Sequence, residues 1–292
     1  MKKETLEKRA KITNYIMYYI YQYIDTDINI DTLSMDLNIS KFHMHRIFKE
    51  EFGKNIYEAI KSIRLQKAST LLITNRYSTI TQIAAMCGYS SQTSFIRAFK
   101  QRFNCTPKKW KNDGYKEYSK EILKDSIDSL DLNIPEFNIE AKIVKMPKLR
   151  AYYIRHEGYD NSIKNIWQKL YTWTLTKNIK NYKQIGIYHD NPVITPLDKC
   201  QYIACIVLED DIEIEESSLP TFLIPDGIYA KFHLEGFSGD TLKFMRWLYH
   251  TWLLNSGYET KTAPSYSIYE KNHFLEDDEK FILDYYLPIT YV

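Results

Sequence analysis

Over residues 9–110 apolar side chains recur at three- and four-residue intervals, the spacing of one helix face, and few stretches alternate as strands do. Polar clusters break this pattern at Asp25–Asp31, Gly53–Asn55, Asn75–Ser78 and Asn104–Pro107, so helices are predicted between them. A helix read from Ser91 puts Phe95, Phe99 and Phe103 on one side and Thr93, Arg97, Lys100 and Gln101 on the other, and runs to a Thr-Pro. Residues 113–138 are polar and charged, with Pro135 near their end; they read as a connector carrying a short helix at 116–130. Beyond them the period changes, and strand-like runs alternate with single helices.

Both halves repeat internally. IDTLSMDLNISKFHMHRIFKEEFGKNI from Ile30 aligns with ITQIAAMCGYSSQTSFIRAFKQRFNCTP from Ile80. Leu33 matches Ile83, Asn38 matches Gly88, and after one inserted residue Arg46 matches Arg97 and Phe48-Lys49 matches Phe99-Lys100. Each copy is a short helix, a tight turn at Asn38 or Gly88 where positive φ is tolerated, and a second helix with Ser40 or Ser90 as N-cap candidate. That is a helix-turn-helix, and the segment 56–74 is a long helix holding the two copies in fixed relation. In the second half, AYYIRHEGYDNSIKNIWQKLYTWTL from Ala151 aligns with AKFHLEGFSGDTLKFMRWLYHTWLL from Ala230. Tyr171 matches Tyr249, and Trp173 matches Trp252 after one inserted residue. Each copy predicts strand, helix, strand, strand. The expected fold is therefore multi-domain: an all-α double helix-turn-helix over 1–112, a linker over 113–138, and an α+β domain of two pseudo-twofold βαββ units over 139–292 with a cleft between them.

The 292 residues carry a formal charge of +2, which hides an asymmetry. Residues 1–116 hold 20 Lys/Arg against 10 Asp/Glu, net +10, and the rest hold 19 against 27, net −8. A basic half beside an acidic one points to nucleic acid binding by the first. The second helices of the two units would enter successive major grooves about 34–36 Å apart, so a monomer on an asymmetric double-stranded site is expected. No apolar run long enough to span a membrane is present, and no signal-peptide pattern follows the charged start. The four cysteines are scattered, as in a reducing cytoplasm, and neither metal-spaced ligands nor a nucleophile elbow stands out. No cofactor, no metal and no catalytic activity are expected.

IAAMCGYSSQTSFIRAFKQRFNCTPKKW resembles the helix-turn-helix signature of the AraC/XylS family of bacterial transcription regulators, through Ala84, Gly88, Tyr89, Phe95, Arg97, Phe99, Lys100 and Pro107. Asn104 stands where the family has Gly after the recognition helix. The resemblance and helical position together imply base reading by Gln92, Thr93, Ser94 and Arg97 in the second unit and by Phe42, His45 and Arg46 in the first. Lys41, Lys49 and Lys100 are expected on phosphates. Residues 139–292 resemble the GyrI-like small-molecule-binding domain through Asp190-x-Pro192, Pro196, Lys199-Cys200, Pro225-x-Gly227-x-Tyr229, Gly236, Ser256-Gly257-Tyr258 and Leu287-Pro288-Ile289. This implies a bulky apolar effector, cationic or neutral, lined by Tyr153, Trp173, Tyr229, Trp252, Tyr266 and Tyr269. The family's carboxylate position is Ser267 here, which leaves Glu157 and Glu235 as substitute counter-charges. The alternative is a protein-interaction module for a partner such as RNA polymerase, with no small-molecule effector.

Overall fold

The computed structural model describes residues 3–124, 126, 136–209, 214 and 217–291. The chain divides into two compact units, one ending at Tyr115 and the other beginning at Lys116.

The first unit is helical: α1 (Lys3–Gln22), α2 (Ile30–Asp36), α3 (Lys41–Phe52), α4 (Ile56–Thr74), α5 (Ile80–Met86), α6 (Gln92–Phe103) and the short α7 (Pro107–Lys109). Its helix starts are written in local chemistry. Asn55 and Glu58 form a reciprocal capping box at α4, and Thr79 and Gln82 do the same at α5. Ser40 caps α3 by accepting from the His43 N–H, but α6 is capped by Ser91 and not by the expected Ser90. The second copy has one more residue before its helix, which shifts the cap. Asn38 (φ 50°) and Gly88 (φ 73°) both adopt the left-handed conformation in the turns. Helix α6 stops at Phe103 on a left-handed Asn104, and Thr106-Pro107 then begins α7 rather than closing α6.

Two apolar clusters fill this unit. Ile16, Ile20, Leu33, Met44, Phe48, Ile56 and Ile63 join α1 through α4 around the first copy. Around the second, Phe95, Phe99 and Phe103 are buried in a row, with Trp110 against Phe99 and Phe103 at ring-centroid distances of 5.5 and 4.5 Å. The buried Trp110 indole donates to the Ser69 carbonyl in α4 at 3.0 Å, tying the second copy to the long helix.

Helix α8 (Tyr115–Leu123) starts on the last residue of the first unit and runs on into the second, inside the predicted linker; residue 125 and residues 127–130 of the helix expected there lie outside the described residues. The strands are β1 (Lys142–Met146), β2 (Leu149–Glu157), β3 (Tyr182–Tyr188), β4 (Gln201–Leu208), β5 (Thr221–Ile224), β6 (Gly227–Phe237), β7 (Tyr258–Thr260), β8 (Ser265–Lys271) and β9 (Lys280–Tyr291). Helix α9 (Ile163–Thr176) lies between β2 and β3, and α10 (Asp240–Trp247) follows β6. Helix α10 continues through a π-turn (Leu248–Trp252) into α11 (Leu253–Asn255). That π-turn absorbs the residue inserted between Tyr249 and Trp252 in the sequence repeat, as one extra residue in a helix must.

The strands form one antiparallel sheet in the order β1-β6-β9-β8-β3-β4-β2-β5, with β7 on β9. The two expected strand-helix-strand-strand copies are β2-α9-β3-β4 and β6-α10-β8-β9, and their strand orders mirror each other across the β3/β8 seam. Gly186 faces Ser267 in register at that seam. In both copies an Asn side chain accepts a backbone N–H two residues on, Asn191 from Val193 and Asn272 from Phe274. Helices α9 and α10 cover one sheet face: Trp167, Leu170 and Trp173 from the first, and Phe244 and Met245 from the second, share a core with Tyr152, Tyr202, Ala204, Phe232, Leu283 and Tyr285.

Candidate functional site

The duplicated helices of the first unit present two outer faces. On α3, Lys41, Phe42, Arg46 and Lys49 are exposed, and Phe42 leaves 78% of its surface free, opposite buried Met44 and Phe48. A large apolar ring held out from a cationic face fits contact with a partner better than with water. Arg46 donates to His43 Nδ1 at 3.1 Å, while the half-buried His45 ring stacks on Tyr57 with centroids 5.5 Å apart. Lys41 is ion-paired with Asp31, an exposed pair cheap to exchange for a phosphate.

On α6, Gln92, Thr93, Ser94, Arg97 and Lys100 are all exposed above the buried Phe95, Phe99 and Phe103. Gln92 Oε1 accepts from Thr81 Oγ1 at 2.8 Å, which steadies the side chain from α5. Ser94 is engaged in its own helix start: its hydroxyl donates to the Ser91 carbonyl at 2.8 Å and its N–H is capped by Ser91 Oγ. Its position is at the expected face, but its donor is already used.

A residue with no motif signal, Arg64 in the middle of α4, ties the long helix to its neighbours. Its half-buried guanidinium donates to the carbonyls of Ile24 at 3.1 Å and Thr26 at 2.6 Å, just past α1, and lies 5.9 Å from the Tyr89 ring centroid in the second turn. Burial pushes the Tyr89 phenol up to about 12, against the pull of the Arg64 charge. The loop after α1, the long helix and the second turn therefore meet at one cation.

In the second unit the nine residues expected around an effector do not line one cleft. Strand alternation divides them. Ser267 and Tyr269 face the helix-covered side, where Tyr188 bonds to both. Tyr266, one residue from Ser267, points to the other side and stacks on Tyr286 with centroids 4.8 Å apart. Tyr229 joins Tyr266 there at 5.2 Å, and Tyr153 packs edge-on against Phe222 at 5.0 Å, its neighbour Tyr152 having taken the helix side. Trp173 and Trp252 are on the helix side but over the outer strands, Trp173 on Tyr152 and Trp252 on Phe232. Glu157 and Glu235 are exposed: Glu157 shares the face of Tyr153, four residues before it on β2, and Glu235 turns toward His233 at 3.5 Å. Neither is placed to replace a carboxylate at Ser267, on the opposite face.

What converges on the seam is a set of hydroxyls. Tyr188 Oη lies 3.3 Å from both Ser267 Oγ and Tyr269 Oη, Tyr202 Oη lies 3.4 Å from Tyr269 Oη, and the Trp167 indole donates to Tyr202 Oη at 3.1 Å. Gly186 makes the space: a Cβ there would come within 2.3 Å of Tyr202 Oη and 3.1 Å of the Tyr269 ring. Burial holds the Tyr202 and Tyr269 phenols well above their ordinary value and raises that of Tyr188, so all three stay neutral. Tyr188, Tyr202 and Gly186 were not singled out from sequence, and Trp167 reads there as a core residue of its helix. Tyr188 could have been, because it aligns with Tyr269 in the second repeat; Tyr202 aligns with Leu283 and carried no such signal.

Residues 139–290 match the model of the GyrI-like small molecule binding domain, and residues 33–113 match a helix-turn-helix domain. The probable transcription factor PqrA of Proteus vulgaris is 41% identical over 87 residues, covering 30% of this chain and 70% of that protein. The xylose operon regulatory protein of Escherichia coli K12 is 35% identical over 96 residues, covering 33% of this chain; the match spans about a quarter (24%) of that relative's length. The solved C-terminal domain of EcmrR is 17% identical, with 53% of this chain and 100% of that one covered at a TM-score of 0.42. With its duplicated helix-turn-helix and its βαββ pair, the chain belongs to the AraC family of regulators and carries a C-terminal GyrI-like small-molecule-binding domain.

Proposed function

We propose that the chain is a transcription regulator that reads double-stranded DNA with α3 and α6 in two successive major grooves and responds to a bulky, largely apolar small molecule held by residues 139–292. The observation that carries this reading is the twice-built helix: a serine cap, an exposed polar and cationic face, and a buried aromatic ridge behind it. Arg46 and Arg97 take guanines bidentately, Phe42 meets a thymine methyl, and Gln92, Thr93 and His45 read neighbouring edges. Lys41, Lys49 and Lys100 set affinity through phosphates. The working unit is a monomer in the cytoplasm that acts by binding and not by catalysis, with 1–112 as the DNA reader, 113–138 as the linker and 139–292 as the sensor.

Selection of duplexes from a randomised library by the full chain, followed by footprinting, tests this. Two protected major-groove tracts roughly 34–36 Å apart are expected, with an affinity that changes when an effector is added. A single tract, or binding with no sequence preference, would refute the DNA half. Intact DNA binding unaffected by any compound would turn the second unit into a docking module for a protein such as RNA polymerase.

A further inference from the structure

We infer that the effector held at the β3/β8 seam is an uncharged aromatic compound bearing a hydrogen-bonding group, and that this site discriminates against lipophilic cations. The inference rests on the reading of the second unit as an effector-binding domain and specifies the ligand class.

The geometry begins with the pseudo-twofold relation. Gly186 and Ser267 are equivalent positions paired across the seam, and Tyr188 and Tyr269, also equivalent, bring their hydroxyls together above them at 3.3 Å. The symmetry is then broken by the first copy, which adds Tyr202 and Trp167 where the second has Leu283 and Met245. The centre of the domain thus holds four hydroxyls and one indole N–H, all from buried residues.

Apart from the indole bond, which at 3.1 Å is ordinary, their hydrogen bonds are long. Three contacts of 3.3 to 3.4 Å link the four hydroxyls, whereas hydroxyl-to-hydroxyl bonds in proteins cluster near 2.7–2.8 Å. Such bonds are readily exchanged for a better-placed acceptor or donor on a ligand, and hydroxyls can serve as either. A carbonyl or phenol entering between the rings would be satisfied at once.

A cation would not be. The five groups bond among themselves and to no carboxylate, so a buried positive charge would find only ring faces and neutral hydroxyls. Cation–π attraction offsets part of the loss of hydration and leaves the rest unmet. The phenols supply no negative charge, since burial keeps them protonated. Asp190, a buried carboxylate near β4, is engaged with the Gln201 backbone N–H at 3.0 Å.

The test uses the full chain, with Trp fluorescence as readout, and two probes of similar bulk: neutral triphenylphosphine oxide, a strong acceptor, and tetraphenylphosphonium, a cation with no hydrogen-bonding group. Wild type is expected to bind the oxide about tenfold or more tighter than the cation, and Tyr269→Phe to weaken the oxide alone by about five- to tenfold. Ser267→Glu is expected to reverse the order of the two probes. A melting curve and circular dichroism establish that this variant is folded, and Tyr188→Phe and Tyr269→Phe, which keep the rings, carry the test if it is not. Wild-type binding of the cation as tight as, or tighter than, the oxide overturns the inference while leaving the effector reading intact. So does an equal response of both probes to Tyr269→Phe. If neither probe binds wild type but the cation binds Ser267→Glu, the seam is a site closed to cations for want of a charge: the discrimination against cations stands, and the assignment of an uncharged ligand is overturned. Failure of every folded variant and wild type to bind either probe removes the effector reading itself, and the inference with it.

Discussion

Replacing Gly88 by alanine tests the argument that the second turn is locked against Arg64. Gly88 sits at φ 73°, and a Cβ there would lie 2.6 Å from the Ile24 carbonyl oxygen and 2.7 Å from Arg64 Nη2. Three costs follow. A side chain in the left-handed region costs about 1–2 kcal/mol. The collision with a backbone carbonyl that cannot swing away adds about 1–3 kcal/mol. If Arg64 moves aside instead, its charged hydrogen bonds to Ile24 and Thr26 weaken, which is worth about 1.5–3 kcal/mol. Because relief of one penalty incurs another, the expected total is roughly 3–5 kcal/mol. The first copy provides the control. Asn38 occupies the equivalent turn at φ 50°, so Asn38→Ala should cost only the conformational part, about 1 kcal/mol or less given that Asn is already an L-residue there. Urea denaturation of the full chain, followed by far-ultraviolet circular dichroism for the helical unit, measures both. If the two alanine variants differ by less than about 0.5 kcal/mol, within the uncertainty of such curves, the collision is relieved in some other way and the lock at Arg64 is refuted.

Other outcomes follow from the same geometry. Arg97→Ala should cost about 1–3 kcal/mol of binding and relax the preference at one base position, while Lys100→Ala should weaken all sequences alike and lower the salt-dependence slope by about one; quantitative binding to a mutated-site library at several salt concentrations separates them. Trp110→Phe removes the buried bond to the Ser69 carbonyl and should destabilise the helical unit by about 1–3 kcal/mol in the same urea assay. His250 is buried beside Arg246, and burial, helped by that charge, lowers its pKa to about 3. The unfolded chain takes up this proton first, so stability should fall as pH drops below about 6.5, at up to roughly 1.4 kcal/mol per pH unit, until the folded value is reached; His250→Gln should flatten that stretch of the stability–pH curve. His233 behaves oppositely. A hydrogen bond to Asp284 raises its pKa, so its contribution is full below the unfolded value and is lost as pH rises through the folded one, and His233→Gln should change the curve near neutrality by less than about 1 kcal/mol because the His233 ring is half open to solvent.

The sequence by itself determined whatever is encoded locally or by repetition. The helix faces of α3 and α6, the left-handed turns at Asn38 and Gly88, and the two strand-helix-strand-strand copies could all be read from period, turn chemistry and self-similarity, because each depends on residues a few positions apart. Even the π-turn was announced by one unmatched residue between Tyr249 and Trp252. The tertiary structure decided what depends on residues far apart in the chain. Arg64 meets carbonyls about 40 positions earlier, and nothing in its neighbourhood signals that. The choice of sheet face was equally hidden. Strand β4 is buried almost throughout, so its sequence runs nearly continuously apolar, and alternation loses its contrast when both faces are covered. Tyr152 and Tyr153, or Tyr266 and Ser267, could not be sorted until the sheet was assembled and two helices had covered one side of it. Only then did the seam between the copies bring Tyr188, Tyr202, Ser267 and Tyr269 to one point, because strand pairing joins residues that chain order keeps 67 to 81 positions apart.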